Sequence, residues 1–308
     1  MTFIDSDVRD ELELGQSSGP EALTARRSSS RRFATFRKLM RQKASLFGFI
    51  LCCAIVISAA FAPLLAPYDP EKIDPTVILQ PPSRAHLLGT DELGRDVLSR
   101  LIYGARVSIL VSIVAVSIAL VIGVSIGMVS GYFGGRIESL SMRVMDAFAA
   151  FPAILLALAI LSVLGPGIRN AMIAIGVVYI PAFARIMRGS VLWVKQTEYV
   201  QAAKAIGAGN LYIMWRAIFP NCVSPLIVHT SLAFASAIIV EAGLSFLGLG
   251  TQPPTPSWGA MLNEGRQYAL QNVWYSISAG VAIFLAVLGL NLLGDGLRDV
   301  LDPRFRST

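Results

Sequence analysis

Residues 107–135 read VSILVSIVAVSIALVIGVSIGMVSGYFGG, a run of 29 positions without Asp, Glu, Lys or Arg. A helix needs about 20 apolar residues to cross roughly 30 Å of hydrocarbon, so this run predicts a transmembrane helix with several residues to spare. Working outward, further uncharged runs lie at 44–68, 147–168, 217–240, 242–263 and 267–294. Over all 308 residues 54% are hydrophobic and only 15% are charged, against roughly a quarter charged in soluble domains. The mean hydropathy is +0.62. This composition argues against a cytosolic enzyme and predicts an all-α membrane protein with several crossings. Three cysteines, Cys52, Cys53 and Cys222, are too few for a disulfide framework, and His86 and His229 lie too far apart in the chain to suggest a metal site.

Six transmembrane helices are expected, at about 46–65, 107–129, 147–164, 170–187, 226–248 and 275–294. The fourth is the least clear, because only 15 uncharged residues separate Arg169 from Arg185. Snorkelling arginines lengthen the usable span, and a re-entrant segment is the alternative. With the N-terminus placed inside, 19 of the 26 Lys and Arg residues fall on the inner side, so the basic-residue bias puts both termini in the cytoplasm. The expected organisation is a disordered, basic cytoplasmic tail over 1–43 and a first transmembrane helix over 44–66. An extracytoplasmic loop follows over 67–106, then a core of five transmembrane helices over 107–294 and a cytoplasmic tail over 295–308. The basic cluster at 26–43 reads as an anchor on the membrane surface rather than a nucleic-acid tail. A cleaved signal peptide is not expected, because the first apolar run starts too late.

Within the outer loop, Leu93, Val97, Leu101 and Ile102 alternate at helical spacing with Asp91, Arg95, Asp96 and Arg100. That pattern predicts an amphipathic interfacial helix leading into the second span. Gly123, Gly127 and Gly131 recur every four residues and predict a face that admits a neighbouring backbone, most simply one of the chain's own. Pro152, Pro166, Pro181, Pro220 and Pro225 are expected at or near span ends. Asp146 is expected to pair with Arg143 at i, i+3.

The inner loop at 188–223 carries the densest pattern. Residues 197–206 hold good helix formers behind a Thr N-cap candidate, 207–210 (GAGN) read as a turn or C-cap, and a second helix is expected over 211–219, stopping at Pro220. Two short helices meeting at a glycine corner make a knob, which on residue chemistry alone serves equally as a structured loop or as a docking element. Phosphate-cradling, zinc-protease and nucleophile-elbow motifs are all missing from the sequence. Glu241 is the one clear ionisable acid within a span. A proton-coupled carrier usually shows several as a relay, so energy is expected from another subunit.

The stretch QAAKAIGAGNLYIMWRAIFP resembles the EAA loop of ABC-importer permeases, with Gln201, Ala202, Ala203, Gly207, Ile218 and Pro220 on the motif positions. Gln201 stands where the general pattern has Glu, and Phe219 where it has Leu; Glu198 lies one turn away. HLLGTDELGRDVLSRLIYGARVSI (86–109), MRVMDAFAAFP (142–152), EAGLSFLGLGTQPPTPSWGAML (241–262) and NLLGDGLRDVLDPR (291–304) resemble the second permease of the dipeptide/oligopeptide/nickel importer family. The resemblance spans about 40–305 and implies the type I ABC importer transmembrane fold in a bacterial cytoplasmic (inner) membrane. It also implies a peptide-translocating, non-catalytic subunit acting with a homologous permease, two ATPase subunits and an extracytoplasmic binding protein. No cofactor is then expected on this chain, ATP and magnesium being bound by the partner ATPases, and no nucleic-acid partner.

By the same resemblance, the knob at about 196–210 is a coupling helix, with Tyr199, Val200, Ala203 and Ile206 as its apolar docking surface and Glu198, Lys195 and Lys204 at the rim. Glu241 either lines the translocation path or is a structural acid. His229 is expected to be a satisfied histidine within the bundle, and Asn291 is a further intramembrane polar candidate. Other readings are the same machinery for nickel or another small solute, or an ion-coupled secondary carrier, which predicts an internal repeat that is not evident.

Overall fold

The computed structural model describes residues 42–301, so all but the last two residues of the expected N-terminal tail, most of the basic cluster and residues 302–308 lie outside the described residues; Lys43, expected in the tail, opens the first helix. Among the described residues, besides a short 3-10 turn at Pro75–Val77, ten helices follow in order: α1 Lys43–Ala60, α2 Ala62–Leu65, α3 Val97–Phe133, α4 Gly135–Ala149, α5 Ala153–Leu164, α6 Ile168–Val194, α7 Glu198–Ala205, α8 Asn210–Phe246, α9 Trp258–Gln267 and α10 Val273–Leu301. Among the described residues the only β pairing is an isolated bridge between Thr90 and Asp96. Five helices (α1, α3, α6, α8 and α10) are long and apolar enough to cross a membrane, and the bent pair α4–α5 makes a sixth if counted as one span. The two described ends meet: Gln42 Nε2 donates to Asp299 Oδ2 at 3.3 Å.

Helix α3 organises the bundle. At 37 residues it is about 55 Å long, given a rise of about 1.5 Å per residue. Small residues recur along it at Gly104, Ser108, Ser112, Ala115, Ala119, Gly123, Gly127 and Gly131, all buried. Positions four apart advance by about 40° around a helix, so this stripe winds and meets different neighbours in turn. A Cβ at Gly104 would stand 2.9 Å from the Trp258 ring on α9, whereas at Gly127 it would stand 2.3 Å from the Ala184 carbonyl oxygen on α6. The close α3–α6 approach replaces a hydrophobic driving force that lipid does not provide, and the glycine face is used within the chain. The largest apolar core lies where α3, α5, α6 and α8 meet, around Ala115, Leu161, Phe183 and Ala237; a second links α1, α3, α8, α9 and α10 around Ala59, Ala105, Trp258 and Ala286.

Several expectations change. The third crossing is not a straight helix over 147–164: α4 and α5 meet at 92° across Ala150–Pro152, leaving α5 only 12 residues long. Pro152 cannot supply the N–H a continuing helix would need. The fourth, judged weak on charge spacing, is a continuous helix of 27 residues passing through buried Pro181, and α8 likewise runs through Pro225. Neighbouring helices and side chains compensate for interior prolines in this setting. Asp146 pairs with Arg185 on α6 at 2.9 Å, not with Arg143, because α4 folds back along α6. Arg188 similarly binds Glu138 of α4 through Nε at 2.7 Å.

The segment 91–96 is not helical. Helix α3 starts at Val97, with Asp96 as N-cap accepting from Ser99 N at 2.8 Å. The four charged residues assigned to a wet face are buried, with Asp91 0%, Arg95 4%, Asp96 3% and Arg100 1% exposed. The reason is tertiary. Arg95 Nε reaches Asp91 Oδ2 at 2.6 Å, Arg95 Nη2 reaches Glu92 at 2.8 Å, and Arg100 Nη2 reaches Glu264 of α9 at 3.1 Å. Asn272 Nδ2 adds bonds to the Gln80 and Thr90 carbonyls. Gly94 sits at φ +74, with the Asp74 carbonyl where a Cβ would be, so the loop folds back tightly on itself. Charges and loop together form a cap over this end of α3, α9 and α10.

Candidate functional site

At the opposite end of the bundle, the segment between α6 and α8 forms a compact hairpin. Thr197 precedes α7 as expected, but its hydroxyl donates backward to the Val194 carbonyl at 2.6 Å rather than capping α7. Helix α7 ends in a Schellman arrangement: Gly207 N–H reaches the Lys204 carbonyl and Ala208 N–H the Ala203 carbonyl, both at 3.0 Å. Gly207 has φ +80 with nothing within 4 Å of a Cβ position, so glycine is required there by backbone conformation and not by crowding. Gln201, standing where a Glu was expected, donates from Nε2 to the Lys195 carbonyl at 3.0 Å and closes the turn.

The hairpin is two-faced. Val200 is 0% exposed, and Ala203 packs against the main core, so these two expected docking residues point inward. The outer face instead carries Tyr199 and Ile206, 47% and 85% exposed, and continues onto Leu211, Tyr212 and Trp215 of α8. Glu198 and Ala202 are exposed on α7. Of the two remaining motif residues, Ile218 is fully buried and Pro220 does not end the second helix. It sits in the first turn of the main α-helical part of α8, directly after a π-helical stretch Ile213–Ile218. In that stretch Phe219 N–H bonds to the Met214 carbonyl, five residues back. The Ala217 carbonyl takes the side-chain N–H of Asn221 at 2.8 Å. The widened turn accommodates a proline that would otherwise break the helix.

The three intramembrane polar candidates are not brought together. Glu241 is 1% exposed and accepts from Ser108 Oγ of α3 at 2.9 Å and Ser245 Oγ at 2.8 Å, with Ser257 as a third hydroxyl partner. Ser245 Oγ in turn accepts from Thr251 N, and Ser257 Oγ accepts from Ala260 N as the N-cap of α9. A Cβ at Gly250 or Gly259 would lie 2.0 Å from Ser245 Oγ or 2.3 Å from the Ala242 carbonyl oxygen. The segment 241–259 is therefore a knot with the carboxyl group at its centre. His229 packs edge-on against Phe183 with ring centroids 4.7 Å apart, but its buried Nε2 has no partner, so it is not the fully satisfied histidine expected. Asn291 lies half-buried in α10. Sequence reasoning missed the knot because its hydroxyls are spread over 149 residues between Ser108 and Ser257; the close spacing of Gly248, Gly250 and Gly259 was the available signal.

Outside the spans, burial and the neighbouring Asp91 carboxylate push the Glu92 carboxyl above the usual range, and hydrogen bonds from Thr76 hold Asp74 below it. Among the described residues no group of three or more His, Cys, Asp or Glu could hold a metal ion.

Known proteins fit this architecture. Residues 123–307 match the family described as "Binding-protein-dependent transport system inner membrane component", and residues 32–82 match the "N-terminal TM domain of oligopeptide transport permease C". The di/tripeptide transport system permease protein DppC of Pseudomonas aeruginosa is 46% identical over 279 residues, covering 88% of this chain and 92% of the relative. The glutathione transport system permease protein GsiD of Pectobacterium atrosepticum is 42% identical, covering 88% and 91%. The probable D,D-dipeptide transport system permease protein DdpC of Escherichia coli is 46% identical, covering 83% and 86%. Among solved structures, an inward-facing form of the MetNI methionine ABC transporter matches with TM-score 0.55 at 19% identity, covering 65% of this chain and 96% of that one. The fold is thus that of the transmembrane domain of a type I ABC importer, a multi-pass membrane transport component. The chain belongs to the binding-protein-dependent transport system inner membrane component family, in its DppC/OppC-like branch of permeases.

Proposed function

We propose that this chain is the second permease of an ATP-driven importer for short peptides in a bacterial inner membrane. It works with a homologous permease, two ATPase subunits that hold ATP and magnesium, and an extracytoplasmic binding protein. The hairpin Glu198–Ile206 is the surface the ATPases grip, with Glu198, Tyr199, Gln201, Ala202, Ala203 and Gly207 shaping it and Ile218 and Pro220 anchoring it to α8. The observation that carries this reading is the two-faced hairpin, whose inner side is locked into the core by Val200 while Tyr199 and Ile206 stand exposed. Large apolar side chains left in water need a partner, and a lever must be stiff toward its own body. Peptides are the substrate class because the relatives named for dipeptides, D,D-dipeptides and glutathione span nearly the same length.

The hairpin end is cytoplasmic in this reading, with both termini inside and the capped end at 67–106 and α9 outside, in keeping with the bias of basic residues. Glu241, enclosed by hydroxyls of its own chain, is a structural acid rather than a lining of the path.

The deciding experiment places a photo-crosslinker at Ile206 in intact membranes and measures dipeptide uptake in a strain lacking the chain. Capture of an ATP-hydrolysing subunit together with restored uptake is expected. Crosslinks that yield only lipid, or uptake unaffected by deletion of the chain, would overturn the proposal.

A further inference from the structure

The last turn of α3 receives a contact from each part of the hairpin. Lys195, just before α7, donates from Nζ to the carbonyls of Gly131 at 3.0 Å and Tyr132 at 3.3 Å. Lys204, in the last turn of α7, places Nζ 5.4 Å from the centroid of the Tyr132 ring. Asn210, which opens α8, accepts a hydrogen bond from Tyr132 Oη at 2.8 Å. Tyr132 itself is only 8% exposed. Helix α3 stops immediately afterward, because Gly134 takes φ +71 and α4 turns away. The carbonyls at this end therefore have no further helix to bond to, and an ammonium group there also suits the negative end of the helix dipole.

At its other end α3 is fixed just as firmly. Asp96 caps it, Arg100 ties it to Glu264 of α9, and Trp258 Nε1 donates to the Leu101 carbonyl at 3.0 Å. One rigid helix thus has the hairpin attached at one end and the cap of α9 and loop 67–96 at the other. Of the remaining hairpin–bundle contacts, those through Val200 and Ala203 are apolar and lack direction, and the one hydrogen bond, from Tyr199 Oη to the Ala217 carbonyl of α8, is long at 3.4 Å and does not reach α3. The bonds to Tyr132 have direction and fix the hairpin's register against α3.

We infer that Tyr132 is a positioning residue that converts displacement of the hairpin into movement of α3, and through α3 into movement of the cap at the far end. This rests on the reading of the hairpin as the element the ATPases grip.

The test uses the whole transporter, with partner permease, ATPases and binding protein, reconstituted in proteoliposomes where dipeptide uptake and ATP hydrolysis are read together. Tyr132→Phe keeps the ring, its burial and the Lys204 contact, and removes only the hydroxyl. It is expected to assemble and to hydrolyse ATP within twofold of the unaltered protein, while peptide imported per ATP falls at least threefold. Asn210→Ala, on the exposed side of the same bond, is expected to lower that ratio equally, and the double variant no further than either single one. A purely structural role would lower uptake and hydrolysis together and leave their ratio intact. An unchanged ratio in both single variants, or losses that multiply in the double variant, would overturn the inference. Should Tyr132→Phe not assemble, Asn210→Ala alone decides it by the same ratio. Crosslinking from Ile206 in the unaltered complex separates the two claims. Without capture of an ATPase the hairpin reading fails; with capture and unchanged ratios only the role of Tyr132 fails.

Discussion

Replacing Gly127 by alanine adds one methyl group at the tightest point of the α3–α6 contact. That methyl would stand 2.3 Å from the Ala184 carbonyl oxygen, 2.7 Å from Met187 Cβ and 3.0 Å from Arg188 N. Two of these three are backbone atoms, which no rotamer change can move. Restoring an ordinary contact requires the helices to part by about 1 Å, and a gap of that size forfeits roughly a quarter to a half of each affected dispersion contact. Overpacking of a close-packed site typically costs about 1–3 kcal/mol, more than the gain of up to about 1 kcal/mol from exchanging glycine for alanine within a helix. The internal control is Gly189, also on α6, where a Cβ meets nothing within 4 Å. Gly189→Ala should therefore be neutral or slightly stabilising. Reversible unfolding of the purified subunit in mixed micelles, titrated with a denaturing detergent, measures both. Equal stability of the Gly127→Ala and Gly189→Ala proteins would refute the idea that the glycine face stabilises the fold through the close approach of two backbones rather than being a compositional habit of membrane helices.

Asp91→Asn removes the buried carboxylate facing Arg95 and Arg100 and should cost about 3–5 kcal/mol in the same titration, with protease sensitivity appearing first in loop 67–96. Gly207→Asn should retain most uptake and Gly207→Ala less, because a left-handed residue with a Cβ costs about 1–2 kcal/mol and Asn bears it best; equal uptake by both would remove the conformational explanation. If Glu241 is the structural acid proposed above, Glu241→Ala should lower stability, because the carboxyl accepts from Ser108 and Ser245, yet leave the ranking of competing peptides in uptake assays unchanged. The raised value of Glu92 means that protonation favours the folded loop. That contribution is complete below the ordinary value of 4.5 and is lost as pH rises through the folded value, so Glu92→Gln should flatten the acid-side dependence of loop protection measured by hydrogen exchange.

The spans and the hairpin were legible because both are local patterns. An uncharged run of 29 residues has few alternatives, and the turn at Gly207 is written in neighbouring positions. What escaped was set by distant partners. Asp91, Arg95 and Arg100 have the spacing of an amphipathic face, and only the return of Glu264 and Asn272 to the same place makes their burial tolerable. Arg143 and Asp146 have the spacing of a helical pair, yet the fold of α4 along α6 offers Arg185 instead. Pro220 reads as a stop until the π-helical stretch before it relieves the clash. In the hairpin itself, the family resemblance puts Val200 and Ile206 in one docking set, while burial separates them, Val200 facing the core and Ile206 standing exposed.

The right-angle break before α5 has a consequence for the surrounding bilayer. Twelve residues cover only about 18 Å along a helix, well short of the roughly 30 Å hydrocarbon thickness. Lipid beside α5 must thin locally, or α4 and α5 must both tilt so that together they complete the crossing. Either accommodation costs a fraction of a kcal/mol per ångström of mismatch. Acyl-chain length in reconstituted vesicles should accordingly bear on this subunit more strongly than on a bundle of uniformly long helices.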